Sequence, residues 1–346
     1  MMSEQGFEQY IAALNARRDL SADEAANAID TIISGGVDDA RIEQFLRAMM
    51  AKGESIEELV GGATAMRRHV TRIECLHPSA IDTCGTGGDG ISTFNVSTAA
   101  AIVAAGAGAV VAKHGNRTNT RRSGSAEVLT ALGVNIEAPP EVVAACVNRI
   151  GVGFLFAARL HPAMAKVVHI RRKIGKPTIF NLLGPLTNPA FVKRQIIGVP
   201  RHDLVGRIAG ALARLGATHA LVVHGDDGLC DFTVTAASKY AEVRDGGIEE
   251  RELQPEAVGF RRATLDDLKI DSPERSAEVI RAVLAGDRGP PRDHTLLNAA
   301  AALVVAGVSP DFQSGVTAAT GAIDTGRAHE TLQRLVELTA AGATDA

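Results

Sequence analysis

Short apolar runs alternate with helical runs from residue 78 onward, and this alternation constrains the fold more than any other feature of the chain. Five runs are candidate strands: residues 80–83, 109–112, 151–156, 195–199 and 219–223. Helical runs at 97–105, 125–132, 140–149 and 204–215 separate or follow them. Parallel strands need crossover connections that are usually helices, so the order predicts a mainly parallel central sheet with helices on its faces.

The first seventy residues carry only helical patterns. Two capping boxes, Ser21 with Glu24 and Ser55 with Glu58, each open a helix. We therefore expect a small N-terminal α-helical domain beside a large α/β domain. Residues 161–187 are expected to cross back to the helical unit, which gives domains of 1–76 plus about 162–187, and 77–161 plus 188–346.

Composition excludes several classes of function. A net charge of −4, with no Trp and two Tyr among 346 residues, gives little basis for binding nucleic acid. The four cysteines form no CxxC, which argues against a disulfide framework or a structural zinc site and favours a reducing compartment. The start lacks a signal-peptide pattern, and the apolar runs are too short to span a bilayer. We expect a cytoplasmic protein without membrane partners.

A glycine-rich segment, residues 85–90 (GTGGDG), follows the first candidate strand and leads through residues 95–98 (NVST) into an Ala-rich helix. A loop with few Cβ atoms before a helix N-terminus is typical of a phosphate site. The segment is neither a Walker A motif nor a dinucleotide fingerprint. Its other interpretation is a turn that needs positive φ. Ser97 and Thr98 are either N-caps or contacts to a phosphate or Mg²⁺.

A second segment, residues 113–117 (KHGNR), is basic and directly follows the candidate strand at 109–112. It could be a solvated turn, but its position opposite the glycine loop favours anion binding. Ser125 starts another helix and offers a second anion site. Arg171, on the returning helix, is suited to a carboxylate.

Acidic residues follow the last candidate strand. Asp226, Asp227 and Asp231 fall within six residues, which suits a Mg²⁺ held by one or two side chains plus substrate phosphates. A polar turn is the alternative interpretation.

Taken in chain order, these motifs resemble the anthranilate phosphoribosyltransferase family of tryptophan biosynthesis. The resemblance covers residues 5–340 and rests on residues 85–90, 95–98, 113–117, 123–126 (SGSA), 161–164 (HPAM) and 180–189 (FNLLGPLTNP). It implies a fold of the nucleoside phosphorylase/phosphoribosyltransferase type, with the site at a hinge between the domains and a homodimer formed through the helical domain. It also implies transfer of the phosphoribosyl group from 5-phosphoribosyl 1-pyrophosphate (PRPP) to anthranilate.

The resemblance also implies roles for particular residues. PRPP would be bound by Gly85, Gly88, Asp89, Thr93, Asn95, Val96, Ser97, Thr98, Lys113, His114, Gly115, Asn116, Arg117, Arg121 and Ser125. Anthranilate would be bound by Gly85, His114, Asn116 and Arg171. The cofactor Mg²⁺ would be held by Ser97 and Asp231. No covalent nucleophile is expected, because pyrophosphate can leave through electrostatic stabilisation and alignment of the amine alone.

Two departures and two alternatives accompany this hypothesis. Cys230-Asp231 replaces the family's Asp-Glu pair, and a thiol is a poor ligand for Mg²⁺, for which Asp226 or Asp227 could compensate. The loop at 118–122 (TNTRR) is more cationic than the family pattern. The alternatives are a pyrimidine nucleoside phosphorylase and a non-catalytic paralogue that binds nucleic acid.

Overall fold

Four helices form the N-terminal part of the computed structural model, which describes residues 4–118 and 122–342. They are α1 (Glu4–Asn15), α2 (Ala22–Ser34), α3 (Asp39–Lys52) and α4 (Ile56–Arg68). Both expected capping boxes are present, at Ser21 before α2 and at Ser55 before α4. In each box a serine hydroxyl and a glutamate carboxylate satisfy amides that the first helical turn leaves unpaired. The prediction of a helical N-terminal part is confirmed.

One seven-stranded sheet organises the rest of the described chain. Its strands are β1 (Ile81–Asp82), β2 (Val111–Gly115), β3 (Val152–Phe156), β4 (Arg194–Gly198), β5 (His219–Gly225), β6 (Ser238–Arg244) and β7 (Gly247–Leu253). The spatial order is β3-β2-β1-β4-β5-β6-β7. The first five strands in this order are parallel, and β6 and β7 are antiparallel. The expected α/β fold with a mainly parallel sheet is confirmed.

Helices cover the sheet on both faces. Those after the N-terminal four are α5 (Val96–Gly106), α6 (Ser125–Ala131), α7 (Pro140–Ile150), α8 (Ala157–Leu160), α9 (Ala165–Ile174), α10 (Ile179–Leu183), α11 (Asp203–Arg214), α12 (Pro273–Leu284), α13 (Pro290–Ala306), α14 (Phe312–Asp324) and α15 (Arg327–Ala341). Neighbouring strand residues alternate between two cores, with Ile196 in one and Ile197 in the other. This alternation is the consequence of the two-residue repeat of a strand.

The core that contains Ile197 joins the N-terminal helices to α9 and α10. Phe7 and Ile29 belong to the same buried cluster as Val167, Ile170 and Ile179. This packing supports a helical domain of residues 1–76 plus about 162–187, which we propose as one of two domains. The other would contain residues 77–161 and 188–346.

Two details of the predicted sheet are wrong. The second strand was placed at residues 109–112, but β2 runs from Val111 to Gly115, so Lys113 and His114 lie in the strand and not after it. The hairpin of β6 and β7 was not predicted at all. Its turn, Asp245-Gly246, has positive φ at both positions, which is the geometry that two-residue hairpins prefer.

Within the described ranges, no helix combines the length and the apolar character that crossing a membrane requires.

Candidate functional site

The glycine loop, residues 85–90, begins after β1 and lies against the end of β4. Thr86 donates its backbone N–H to the carbonyl of Gly198 at 2.9 Å. A Cβ on Gly85 would lie 2.9 Å from the same carbonyl oxygen, so only glycine permits this approach. Within the described chain, the amides of Gly87, Gly88 and Gly90, all with positive φ, make no hydrogen bond to the protein. Unpaired amides in such a turn form a concave site for an anion.

Asp89 connects the glycine loop to the loop after β5. Its carboxylate accepts a hydrogen bond from the amide of Cys230 at 3.2 Å and one from the amide of Ile91 at 3.3 Å. The Cys230 thiol in turn lies 3.8 Å from the carbonyl of Gly87. The two loops are therefore held together at the carboxyl ends of the parallel strands, where ligands bind in open α/β sheets.

The start of α5 is fixed by buried polar contacts. Asn95 accepts hydrogen bonds from the hydroxyls of Ser123 at 2.6 Å and Ser276 at 2.8 Å, and its amide group donates to the carbonyl of Ser123 at 3.1 Å. Its side chain is thus occupied by the protein. Asn95 is also the N-cap residue, without a side-chain cap bond, so the interpretation of Ser97 and Thr98 as N-caps is wrong.

Two hydroxyls at this end of the sheet lack a partner. Thr93 Oγ and Thr98 Oγ are buried and make no hydrogen bond within the described residues. Unsatisfied buried hydroxyls are uncommon and require a reason, and a ligand is one.

Lys113, in the middle of β2, is buried beside Ser97. Its ammonium donates to Ser97 Oγ at 3.3 Å and to the carbonyl and hydroxyl of Thr83, both at 3.2 Å. Burial lowers the pKa of Lys113, and nearby anionic groups that include Asp231 oppose the shift. Lys113 therefore holds a positive charge beside Ser97, within electrostatic range of Asp231.

His114 points toward the turn that follows α10. Its Nδ1 lies 3.1 Å from the carbonyl oxygen of Gly184, and its Nε2 lies 3.1 Å from Nε2 of His161. A carbonyl can only accept, so Nδ1 of His114 carries the proton and Nε2 of His161 donates to His114. Burial lowers the pKa of His114 to about 3 and that of His161 to about 4, which keeps both rings neutral at pH 7.

A buried carboxylate, Asp82 of β1, holds this arrangement. It accepts from the amide of His114 at 3.0 Å and from the side-chain amide of Asn188 at 2.7 Å. Burial raises the pKa of Asp82 to about 6. Our sequence reasoning did not assign a role to Asp82 or Asn188. A charged residue inside an apolar strand was the available signal for Asp82.

Arg171 of α9 contacts α10 itself, from the helical domain. Its guanidinium donates to the Asn181 side chain at 3.3 Å and lies 5.8 Å from the centre of the Phe180 ring. Burial lowers the pKa of Arg171. His114 and Arg171 thus both contact the α10 segment, through Gly184 directly after the helix and Asn181 in its middle.

The basic segment continues past β2 over the end of β3. Asn116 and Arg117 are exposed, and the Arg117 guanidinium lies 5.6 Å from the centre of the Phe156 ring. Ser125 Oγ donates to the carbonyl of Asn116 at 3.2 Å. Arg121 lies outside the described residues.

The acidic loop after β5 is mostly used by the protein itself. Asp227 accepts from the amide of Leu229 at 3.0 Å and from the hydroxyls of Thr233 and Thr235. Asp226 pairs with Lys239 at 3.3 Å. The suggestion that either could compensate for Cys230 as a metal ligand is not supported by these contacts. Asp231 is the carboxylate of this loop that acts electrostatically on Lys113.

Comparison with known proteins agrees with this fold. The α/β domain of the glycosyl transferase family matches residues 77–329, and the helical bundle domain of that family matches residues 8–70. The anthranilate phosphoribosyltransferase of Anaeromyxobacter dehalogenans is 48% identical over 95% of this chain and 97% of its own. That of Desulfosudis oleivorans is 46% identical over 96% and 98%.

Solved structures give the same result. The anthranilate phosphoribosyltransferase of Thermus thermophilus is 39% identical and superimposes with a TM-score of 0.91 over 96% of this chain and 99% of that one. The Saccharomyces cerevisiae enzyme, in complex with PRPP and Mg, is 27% identical with a TM-score of 0.90 over 98% and 99%.

The helical bundle and the α/β domain define a glycosyl transferase of the two-domain type. Within that class, the identity over nearly the whole length decides the family. The chain belongs to the anthranilate phosphoribosyltransferase family.

Proposed function

We infer that this protein transfers the 5-phosphoribosyl group of PRPP to anthranilate, which yields N-(5-phosphoribosyl)anthranilate and pyrophosphate in tryptophan biosynthesis. The observation that carries this function is the glycine loop with its three unpaired amides, which follows β1 shortly after Thr83, where the ammonium of Lys113 bonds to Thr83 and Ser97. Full-length relatives with this activity in their names support the same conclusion.

PRPP is proposed to lie across the glycine loop. The amides of Gly87, Gly88 and Gly90 would donate to phosphate oxygens, and the start of α5 would add the favourable end of its dipole. Thr93 and Thr98 supply hydroxyls that have no partner in the described protein. Asn95 is proposed to position α5, because its side chain is held by Ser123 and Ser276.

Mg²⁺ fits the donors near Lys113. Ser97 Oγ and the Asp231 carboxylate are hard oxygen ligands, and Mg²⁺ takes its remaining ligands from water and substrate phosphates. When bound, it neutralises the charge that develops on the leaving pyrophosphate. Lys113, fixed by Thr83 and Ser97, adds a positive charge that needs no rearrangement.

Anthranilate is proposed to lie between His114 and Arg171, near α10. The Arg171 guanidinium suits the carboxylate of the acceptor, because charge-assisted pairs with carboxylates are strong. The neutral His114 and His161 add no positive charge near the amine. The aromatic amine would be held in line with C1 of the ribose, and alignment of this kind replaces covalent catalysis.

The homodimer implied by the resemblance, formed through the helical domain, and the cytoplasmic location belong to the same proposal. Light scattering after gel filtration tests the dimer.

The activity is tested by following the fluorescence of anthranilate in the presence of PRPP and MgCl₂. We expect loss of anthranilate that depends on both additions. A protein that leaves anthranilate unchanged but cleaves thymidine in the presence of phosphate would instead be a nucleoside phosphorylase. Tight, salt-dependent binding of mixed-sequence DNA without either reaction would favour the paralogue that binds nucleic acid.

A further inference from the structure

A buried group of metal-ligating side chains lies behind the glycine loop, apart from the proposed Mg²⁺ ligands. A carboxylate oxygen of Asp82, the thiol of Cys84 and a ring nitrogen of His114 all lie within 4.8 Å of one another. Asp82 and His114 are buried, and Cys84 is half-buried, so the group can be reached from one side. Carboxylate, thiolate and imidazole are the three ligand types of zinc sites in proteins.

His161 lies beside this group but is not part of it. The Nε2 atoms of His114 and His161 are 3.1 Å apart, and His161 donates to His114 there. The His161 ring must therefore turn away, or carry its proton on Nδ1, when an ion binds Nε2 of His114. We propose a binding site for a thiophilic divalent cation of the Zn²⁺ class with three protein ligands, Asp82, Cys84 and His114, and an open fourth position.

The surroundings of His114 match those of a metal-bound histidine. Its Nδ1 donates to the carbonyl of Gly184 at 3.1 Å, which leaves the lone pair on Nε2. Metal-ligating histidines almost always donate their other ring N–H to a carbonyl or carboxylate in this way. Asp82 is likewise oriented, by Asn188 at 2.7 Å. These bonds fix two ligands before a metal arrives.

The charges balance when the ion binds. Burial raises the pKa of the Cys84 thiol to about 12, so the thiol is protonated in the metal-free protein. Binding forms a sulfur–metal bond and releases the thiol proton to solvent, without a redox step. The Asp82 carboxylate and the Cys84 thiolate then neutralise the divalent ion. Affinity should therefore rise with pH.

The site differs from the proposed Mg²⁺ site in the chemistry of its donors. Thiolate and imidazole favour Zn²⁺ or Co²⁺, whereas Mg²⁺ prefers oxygen. Occupancy would also engage His114. If anthranilate lies beside His114, as proposed above, the ion should compete with anthranilate. This last expectation rests on the proposed function, and the binding site does not.

The test is Co²⁺ absorption spectroscopy on the full chain without Mg²⁺ or PRPP. A tetrahedral thiolate site gives intense visible bands and a thiolate-to-cobalt charge-transfer band, and Zn²⁺ added afterwards should remove both. We expect these bands in the parent and their loss in Cys84→Ser. They should persist in Cys75→Ser, which removes another half-buried thiol, and in Cys230→Ser, which removes the thiol near the proposed Mg²⁺ site. Circular dichroism confirms that each variant is folded.

Other outcomes overturn the proposal. Absence of the bands in the parent at excess Co²⁺, or their survival in Cys84→Ser, means that these residues bind no such ion. Loss of the bands in Cys230→Ser instead places the metal at the loop after β5.

Inhibition by Zn²⁺ is measured separately. We expect it to raise the KM for anthranilate in the parent and not in Cys84→Ser. Spectral binding without this effect would leave the metal site intact and contradict the placement of anthranilate beside His114.

Discussion

The loops after β1 and β5 lie side by side at the same edge of the sheet but use their polar groups in opposite ways. In the glycine loop, the amides of Gly87, Gly88 and Gly90 make no hydrogen bond within the described protein. In the loop after β5, the amides of Leu229 and Cys230 are bound by Asp227 and Asp89. Acidic residues in a loop therefore do not by themselves identify a metal site. An acidic residue is available to a metal ion only where the protein does not already use its oxygens as hydrogen-bond acceptors.

The largest effect is expected at the glycine loop. Gly87→Val should abolish PRPP binding, because φ at this position is +62° and a branched side chain there distorts the amides that face the phosphate. Calorimetry with PRPP and Mg²⁺ measures the binding. Gly216→Val is the matched control, since Gly216 has φ of +80° and equally open space, but lies in the turn after α11. If the two variants bind PRPP equally well, the glycine loop is only a turn.

In the loop after β5, by contrast, we expect a substitution to reduce the stability of the protein. Asp227→Ala should lower the free energy of unfolding by about 3 kcal/mol, because it leaves two threonine hydroxyls and an amide without their acceptor. Asp226→Ala, which removes a half-exposed ion pair, should cost less than about 1 kcal/mol. Denaturant titration measures both. A stable Asp227→Ala protein with an increased Mg²⁺ requirement would reverse this assignment.

Acid should weaken the packing behind that loop through His294 of α13. Its ring is buried against Phe94, neither nitrogen has a partner within the described residues, and burial lowers the pKa to about 4. The unfolded chain, with a pKa of about 6.5, binds the proton more readily. Stability from His294 is therefore complete above pH 6.5 and is lost as pH falls toward 4.

The test compares the parent with His294→Leu. Between pH 7 and 5 the parent should lose about 2 kcal/mol more of its unfolding free energy than the variant does. His114 and His161, with pKa lowered in the same direction, remain in both proteins and cancel in the comparison. Parallel pH profiles would show that His294 stays uncharged in the unfolded state as well or finds a partner.

Arg171 lies on the side of the site proposed for anthranilate, away from both loops. Arg171→Ala should lower kcat/KM for anthranilate about thirtyfold, equivalent to about 2 kcal/mol, because a charge-assisted contact to the carboxylate is lost. PRPP binding should change little. Arg172→Ala, which removes an exposed neighbour on α9, is the control. Equal kinetics for the two variants would place the anthranilate carboxylate elsewhere.

Local sequence patterns predicted the helical part, but they identified only some of the residues of the candidate site. The capping boxes at Ser21 and Ser55 act within one turn, so sequence alone located α2 and α4. The predicted second strand starts two residues before β2 and ends three residues before β2 does, because Lys113 and His114 are polar, although tertiary contacts bury them. The sequence motifs identified Gly85, Lys113 and Arg171 as candidate binding residues. Contacts across the chain, such as His114 with His161 and Asp82 with Asn188, depend on packing that no local pattern records.

The β6–β7 hairpin shows a signal that was present and not used. Asp245-Gly246 is a strong two-residue hairpin sequence. The strand after it, however, is charged and exposed along most of its length, so it lacks the apolar alternation on which strand prediction depends.

The smallest expected effect tests whether Asp231, unlike Asp226 and Asp227, binds a metal ion. Asp231→Asn should raise the MgCl₂ concentration needed for half-maximal rate by about tenfold, because it removes the charged oxygen donor of the proposed Mg²⁺ site. Initial rates at saturating PRPP and anthranilate measure this concentration. Asp226→Asn is the control, since Asp226 pairs with Lys239, and it should leave the MgCl₂ requirement unchanged.

Substitution of Cys230 separates the metal from the fold of the loop. Cys230→Asp should lower the MgCl₂ requirement, because it adds a hard carboxylate ligand beside Asp231, whereas Cys230→Ser adds no charge and should change it little. The Cys230 amide, which donates to Asp89 at 3.2 Å, is retained in both variants, so the loops stay joined. If Asp231→Asn titrates like the parent and Cys230→Asp brings no gain, the metal is held elsewhere. The loops after β1 and β5 would then contribute only to the protein's own structure and to phosphate binding.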